Sequence, residues 1–178
     1  MPIAKWTKLS SEVFHENKWW KGIHDRFRLP NGKEGDYYYM STPGGVSIIP
    51  VDTDGKILFL RQYRYIFDQE SLECPAGGVK PGNSELETAK AELIEETGKK
   101  AEFFDEVGRF AVGSGLLDEM TKVFVARNLS PAFAEKDETE EFELVRLTPE
   151  EVDEAILRGE IWDGFSISAW AIAKPYLK

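Results

Sequence analysis

The chain has 178 residues, 42% of them hydrophobic and 30% charged, a balance that suits one full core with a small accessory module. Its formal net charge of −10 repels nucleic acid and anionic membrane surfaces, and it holds no run of about 18 apolar residues to span a bilayer. A lone cysteine, Cys74, precludes an internal disulfide, and the opening MPIAKWTKLSSEVF lacks an apolar signal core, so the expected setting is the cytoplasm.

Residues 1–43 read as a small antiparallel β module. Strand-like runs cover Trp6 to Phe14, Lys18 to Leu29 and Asp36 to Ser41, and Pro30-Asn31-Gly32 marks the turn between the last two. Three strands enclose little core by themselves. The rings of Trp19, Trp20, Phe27, Tyr37, Tyr38 and Tyr39 are therefore expected to pack on the rest of the chain or on a second copy. Sheet packing accounts for most of them, with Trp19 or Trp20 the candidate for stacking on a nucleobase. Pro43-Gly44-Gly45 is the hinge into a second domain, residues 44–178.

Val46 to Val51 and Lys56 to Tyr63 read as strands joined by the turn Asp52-Thr53-Asp54-Gly55. The second strand runs into Arg61-Gln62-Tyr63-Arg64. A surface arginine is usually just solvated, yet its planar fork suits phosphate. Past Glu73-Cys74-Pro75 comes the most informative stretch, AGGVKPGNSELETAKAELIEETG, from Ala76 to Gly98. Gly77, Gly78, Pro81 and Gly82 make a loop that permits close backbone approach. Ser84 and Glu87 have capping-box spacing, Gly98 sits where a helix would stop, and Leu86, Ala89 and Leu93 form an inward stripe.

Glu92, Glu95 and Glu96 fall at i, i+3 and i+4, so three carboxylates share one helical face. The bland reading is a solvated acidic face. The sharper one is a site for a hard divalent cation such as Mg²⁺, which takes oxygen ligands and keeps several waters. The glycine loop favours the sharper reading, because it can present a carbonyl to the same ion.

The stretch resembles the Nudix box, G-x5-E-x7-R-E-U-x-E-E-x-G-U, in which U is a bulky aliphatic residue. Gly77, Glu92, Leu93, Glu95, Glu96 and Gly98 fall in register; Asn83, Ala91 and Lys99 stand where the box has glutamate, arginine and an aliphatic residue. The run from Arg61-Gln62-Tyr63-Arg64 to Glu73-Cys74-Pro75-Ala76-Gly77 resembles the branch that cleaves ADP-ribose and nucleoside diphosphate sugars. That resemblance implies substrate contact by Arg64, a metal-binding carbonyl at Ala76, and a site-lining role for Glu73.

Farther on, Ala101 to Val112 and Met120 to Arg127 read as strands around a loop, residues 113–119. Relatives of the branch carry Y-P-S-P-G-F-S-D-E here. This chain has Ala111-Val112-Gly113-Ser114-Gly115-Leu116-Leu117-Asp118-Glu119 and lacks both prolines, so the pattern does not single out ADP-ribose. Residues 131–141, PAFAEKDETEE, form an acidic connector before the strand Phe142 to Leu147. The resemblance makes Glu138 the base that activates water and Glu140 a second acid near the metals. Thr148, Pro149 and Glu151 start a helix that Gly159 ends, and a last helix over Phe165 to Ala173 turns Ile167, Trp170 and Ala171 inward. His15 and His24 have no partners at metal or catalytic spacing.

The resemblance implies an α+β fold, an α/β/α sandwich around a mixed sheet, and a homodimer formed through the N-terminal module. It implies hydrolysis of a small nucleoside diphosphate derivative, with Glu92, Glu96 and the Ala76 carbonyl on Mg²⁺ and Glu95 in support. Mn²⁺ is an able substitute. Arg61 and Arg64 would serve the phosphates. Asn83 and Ala91 motivate an alternative, a scaffold of the same family that binds or senses a nucleotide with little turnover.

Overall fold

The computed structural model describes residues 3–133 and 142–177. Chain contacts divide it into two units, Met1–Pro43 with Gly113–Glu119, and Gly44–Val112 with Met120–Lys178.

The first unit is a three-stranded antiparallel sheet of β1 (Thr7–Glu16), β2 (Lys21–Arg28) and β3 (Glu34–Ser41), in the order β1-β2-β3. Rings from different strands meet across it. Trp6 stacks on Phe27 at 4.5 Å, Phe14 meets Tyr38 edge-on at 5.9 Å, and Tyr38 lies flat on His24 at 4.4 Å. The segment 113–119 joins this unit: Met40 N–H donates to the Leu116 carbonyl, Asp118 N–H to that of Met40, and the Tyr37 hydroxyl to that of Gly115. Nothing in the sequence marked that long-range attachment, because much of it is made by backbone groups.

The second unit holds two sheets. One has the order β10-β5-β6, from β5 (Ile57–Arg64), β6 (Gln69–Glu73) and β10 (Glu143–Leu147), all antiparallel. The other has the order β7-β4-β9-β8, from β4 (Gly45–Pro50), β7 (Ala76–Gly78), β8 (Lys99–Phe110) and β9 (Thr121–Pro131). Only β4 and β9 run parallel, which makes this sheet mixed. All six residues of β4 are buried, as a strand covered on both faces must be. Val46 and Ile48 of β4 pack with Ala89 and Leu93 of α1 (Glu85–Thr97). On the opposite face Ile49 joins Val152 and Ala155 of α2 (Pro149–Leu157) and Ala169, Trp170 and Ala173 of α3 (Gly164–Ala173). This is the expected α/β/α sandwich. Leu93 is fully buried, and its truncation to alanine would cost about 2–5 kcal/mol.

Two helix faces differ from their sequence reading. Leu86 is exposed, and Thr88 and Thr97 take the buried places beside Ala89 and Leu93. Thr97 can do so because its hydroxyl donates to the Leu93 carbonyl at 2.5 Å, which satisfies its polar atom inside the helix. Ala171 is also exposed, since the buried face of α3 runs Ser166, Ala169, Trp170 and Ala173. The strands β6 and β7 were absent from the sequence reading. Ser71, Leu72 and Glu73 are buried in succession, so β6 shows no alternation to find, and β7 has three residues.

In the N-terminal sheet, Nδ1 of His24 lies 2.8 Å from Glu12 and Nε2 lies 2.8 Å from Asp36. Those hydrogen bonds, Glu12 first, raise the imidazole above its ordinary value of 6.5. The charged ring thus stabilises the fold fully below about pH 6.5, and that contribution fades as pH rises through the raised folded value. Urea midpoints of wild type and His24→Gln should differ most at pH 5.5 and converge by pH 9; a gap constant across that range would refute the coupling.

Candidate active site

The site is built where α1 meets the edge strand β7. The helix begins at Ser84, whose hydroxyl accepts from Glu87 N–H while the Glu87 carboxylate accepts from Ser84 N–H. It ends at Gly98, whose φ of 66° is left-handed and favours glycine. With both ends fixed, the stripe of Ala89, Leu93 and Thr97 faces the sheet. Glu92 and Glu96 lie half-buried beside it and Glu95 is exposed.

The sheet register decides which groups of β7 face those carboxylates. Ile48 N–H donates to the Pro75 carbonyl at 2.8 Å and Val79 N–H to that of Gly44 at 2.9 Å, so Ala76 sits opposite Ser47 in a pair without mutual hydrogen bonds. The amide and carbonyl of Ala76 therefore turn to the open edge. Its N–H donates to Oε2 of Glu96 at 3.0 Å. At the next residue, a side chain on Gly77 would place its Cβ 2.3 Å from the Glu92 carboxyl carbon. Glycine here makes room for Glu92.

A second group adjoins this one. Glu73 is only 4% exposed, yet it carries a carboxylate. Arg64 grips it through Nε at 2.7 Å and through one terminal nitrogen, and Gln62 Nε2 donates to it at 3.2 Å. Such a two-point pairing offsets the cost of burial. The hydrogen bond to Glu73 raises the Arg64 guanidinium above its ordinary value; burial opposes this, and the charges of Glu73, Asp163 and Glu96 add to it. Cys74 reports the same field. Burial pushes its thiol up to about 12; the Ser166 side chain opposes this, and the charges of Asp163, Glu96 and Glu73 add to the rise. Three carboxylates from β6, α1 and the start of α3 thus act on one place.

The remaining sequence candidates are distributed otherwise. Arg61 lies 3.2 Å from Glu143 and 3.7 Å from Glu70, on the face of β5 opposite to Gln62 and Arg64. Glu95 approaches Lys80 at 3.9 Å; with both side chains exposed, that pair contributes at most about 1 kcal/mol. Trp19 and Trp20 belong to the N-terminal unit. Trp19 is 68% exposed with Lys18 Nζ 4.2 Å from its ring, while Trp20 tilts onto His15 at 4.7 Å. Glu138 and Glu140 lie outside the described residues. Asp163 and Ser166 escaped the sequence reading, since an acid capping a helix carries no motif.

The donor set suits a hard cation. Among the described residues no group of three acidic, histidine or cysteine side chains could enclose an ion. Two carboxylates with a main-chain oxygen match instead the few protein ligands and retained waters that Mg²⁺ prefers.

Comparison with known proteins shows the chain's family and fold. A family model described as NUDIX domain matches residues 41–165, and one described as nucleoside diphosphate sugar hydrolase N-terminal domain matches residues 6–40. The chain is 34% identical to an ADP-ribose pyrophosphatase of Bacillus subtilis (strain 168) over 152 residues, covering 84% of this chain and 81% of the relative. It is 33% identical to a methanol dehydrogenase activator of Bacillus methanolicus over 156 residues, 86% and 82% of the two. A crystal structure of an ADP compounds hydrolase superposes with a TM-score of 0.88 across 99% of this chain and 96% of that one; at 22% identity it shows the shared fold.

Gly77→Ala isolates the Glu92 contact. The clash is with the end of a flexible side chain, so the fold should survive while the carboxylate is driven off. The urea midpoint should stay near wild type, with divalent-cation affinity lowered about ten-fold. Unchanged affinity by calorimetry would show that the Gly77–Glu92 approach is incidental.

Proposed function

The chain belongs to the Nudix family and is one of its hydrolases, and on that premise we propose that its substrate is a nucleoside diphosphate linked to a sugar, ADP-ribose included. Water adds to one phosphorus of the pyrophosphate, the bridging P–O bond breaks, and a nucleoside monophosphate and a sugar phosphate leave. The reaction depends on Mg²⁺, with Mn²⁺ able to replace it, and takes place in the cytoplasm.

One observation supports this reading above the others: Glu92 and Glu96 both lie against Ala76 and Gly77, the first by the contact with Gly77 and the second by a hydrogen bond. Glu92, Glu96 and the Ala76 carbonyl would hold the ion, with Glu95 in support. A bound cation would neutralise phosphate charge and orient water. Arg64 stands anchored on Glu73 and uses the rest of its fork for a phosphate oxygen. Glu138 is the proposed base for the attacking water, with Glu140 a second acid for the metal site. Trp19 suits base stacking better than Trp20, which is engaged with His15. Arg61, held beside Glu143 and Glu70, is the second arginine assigned to the phosphates. A homodimer forms through the N-terminal sheet, where β1 is exposed along all 10 residues and bears Leu9, Val13 and Phe14.

Asn83 and Ala91 favour a second reading, in which the site binds a nucleotide with little turnover. One panel separates the two: ADP-ribose, ADP-glucose and GDP-mannose, each with and without Mg²⁺. Phosphomonoester release by wild type, lowered about 10²-fold or more in Glu96→Gln, is the expected result. Turnover that survives both Glu96→Gln and a chelator sinks the metal assignment, whereas nucleotide binding without turnover in wild type establishes the scaffold.

A further inference from the structure

We propose that Ser166, oriented by Asp163 at the start of α3, is a positioning residue that fixes the segment carrying Glu73 and the Ala76 carbonyl. This rests on the reading of that carbonyl and Glu96 as cation ligands. The pairing of β5 with β6 ends at Leu60 and Glu73, so Cys74 has left the ladder. Pro75 has no N–H. The Cys74 amide is thus the one backbone donor between the glutamate that anchors Arg64 and the residue that faces Glu96. It donates to Oγ of Ser166 at 3.0 Å. Ser166 is 1% exposed and Cys74 3%, so water does not stand in for this bond.

The acceptor is itself held. Oδ2 of Asp163 accepts from the Ser166 amide at 2.8 Å and from its hydroxyl at 3.0 Å. The hydroxyl proton is committed to Asp163, which leaves the oxygen lone pairs for Cys74. On the other side of the segment, Ile48 N–H holds the Pro75 carbonyl at 2.8 Å. The turn from Glu73 to Ala76 is clamped between α3 and β4, with Ala169, Trp170 and Ala173 seating the helix in the core. The Asp163 charge also reaches Arg64, so one residue acts on both halves of the site.

Ser166→Ala removes the acceptor and keeps the Asp163 cap on the backbone. Three readings on the full chain test the inference: deuterium exchange at the Cys74 amide, Mn²⁺ affinity by paramagnetic resonance with protein held in the folded range of a urea curve, and the Mg²⁺ concentration for half-maximal hydrolysis. The expected result is faster exchange at Cys74 and about ten-fold weaker Mn²⁺ affinity. Asp163→Asn, which keeps an acceptor oxygen, should stay within about two-fold of wild type while Asp163→Ala follows Ser166→Ala. Ser71→Ala is the control, because its buried Oγ has no hydrogen-bond partner among the described residues, and it should leave all three readings unchanged. A wild type that binds Mn²⁺ and a folded Ser166→Ala that binds it equally well overturn this inference alone. A wild type that binds none overturns the metal reading and this inference with it.

Discussion

Gathering carboxylates at one place in a protein is unfavourable twice over: they repel one another, and burial strips their water. The architecture of this chain follows from how it offsets that. Glu73 is neutralised by the two-point grip of Arg64 and a bond from Gln62. Glu96 takes a main-chain amide from Ala76, and Asp163 takes an amide and a hydroxyl from Ser166. The charges of Glu73, Glu96 and Asp163 still raise both Arg64 and Cys74, and a negative potential of that kind favours a cation.

The sheet supplies the rigidity this requires. Because β4 is buried on both faces, its neighbour β7 has one side fixed by hydrogen bonds and one side open. That asymmetry turns the amide and carbonyl of Ala76 to the open edge, where its N–H meets Glu96 of the helix. The helix in turn is capped at both ends and seated by Ala89 and Leu93, so its carboxylates have little freedom to swing apart. Rotating α1 by one residue would turn Glu92 away from Gly77. The inward stripe is thus as much a condition of the site as the acids themselves.

How legible this was depended on whether a feature is written in side chains or in backbone geometry. The capping boxes at Ser84 and Thr148, the left-handed stop at Gly98 and the face shared by Glu92 and Glu96 follow from spacing, and they appear as read. Strand β6 was hidden because Ser71, Leu72 and Glu73 are all buried, which erases the alternation that announces a strand. The attachment of residues 113–119 to the N-terminal sheet runs largely through carbonyls and amides that every sequence possesses. The two arginines of β5 looked equivalent in the sequence. Only pairing with β6 and β10 shows that a strand's two-residue period sends Arg64 to Glu73 and Arg61 to Glu70 and Glu143. Asp163 could be read as a helix cap, but not as a neighbour of the acids on α1.

The same geometry resolves a tension posed by the whole chain, whose charge of −10 should repel a diphosphate. Long-range repulsion is screened within about 8 Å at physiological ionic strength, so over most of the surface the charge of this protein is invisible to a substrate at the site. Inside that distance the local groups decide, and among the described residues they include a few acids, an arginine half exposed beside a buried partner, and an outward-facing main-chain carbonyl. A dication placed among them more than cancels one carboxylate and leaves Arg64 to act on the phosphate without competition from Glu73, whose charge it already satisfies. On the proposed reading, the acidity of the helix would attract the ion, and the ion would admit the anion. An arginine in place of the cation would arrive with a fixed side chain and no exchangeable waters. It could hold a diphosphate but would offer nothing to orient the water that cleaves it, and for that reason the acids of α1 are better explained by chemistry than by binding alone.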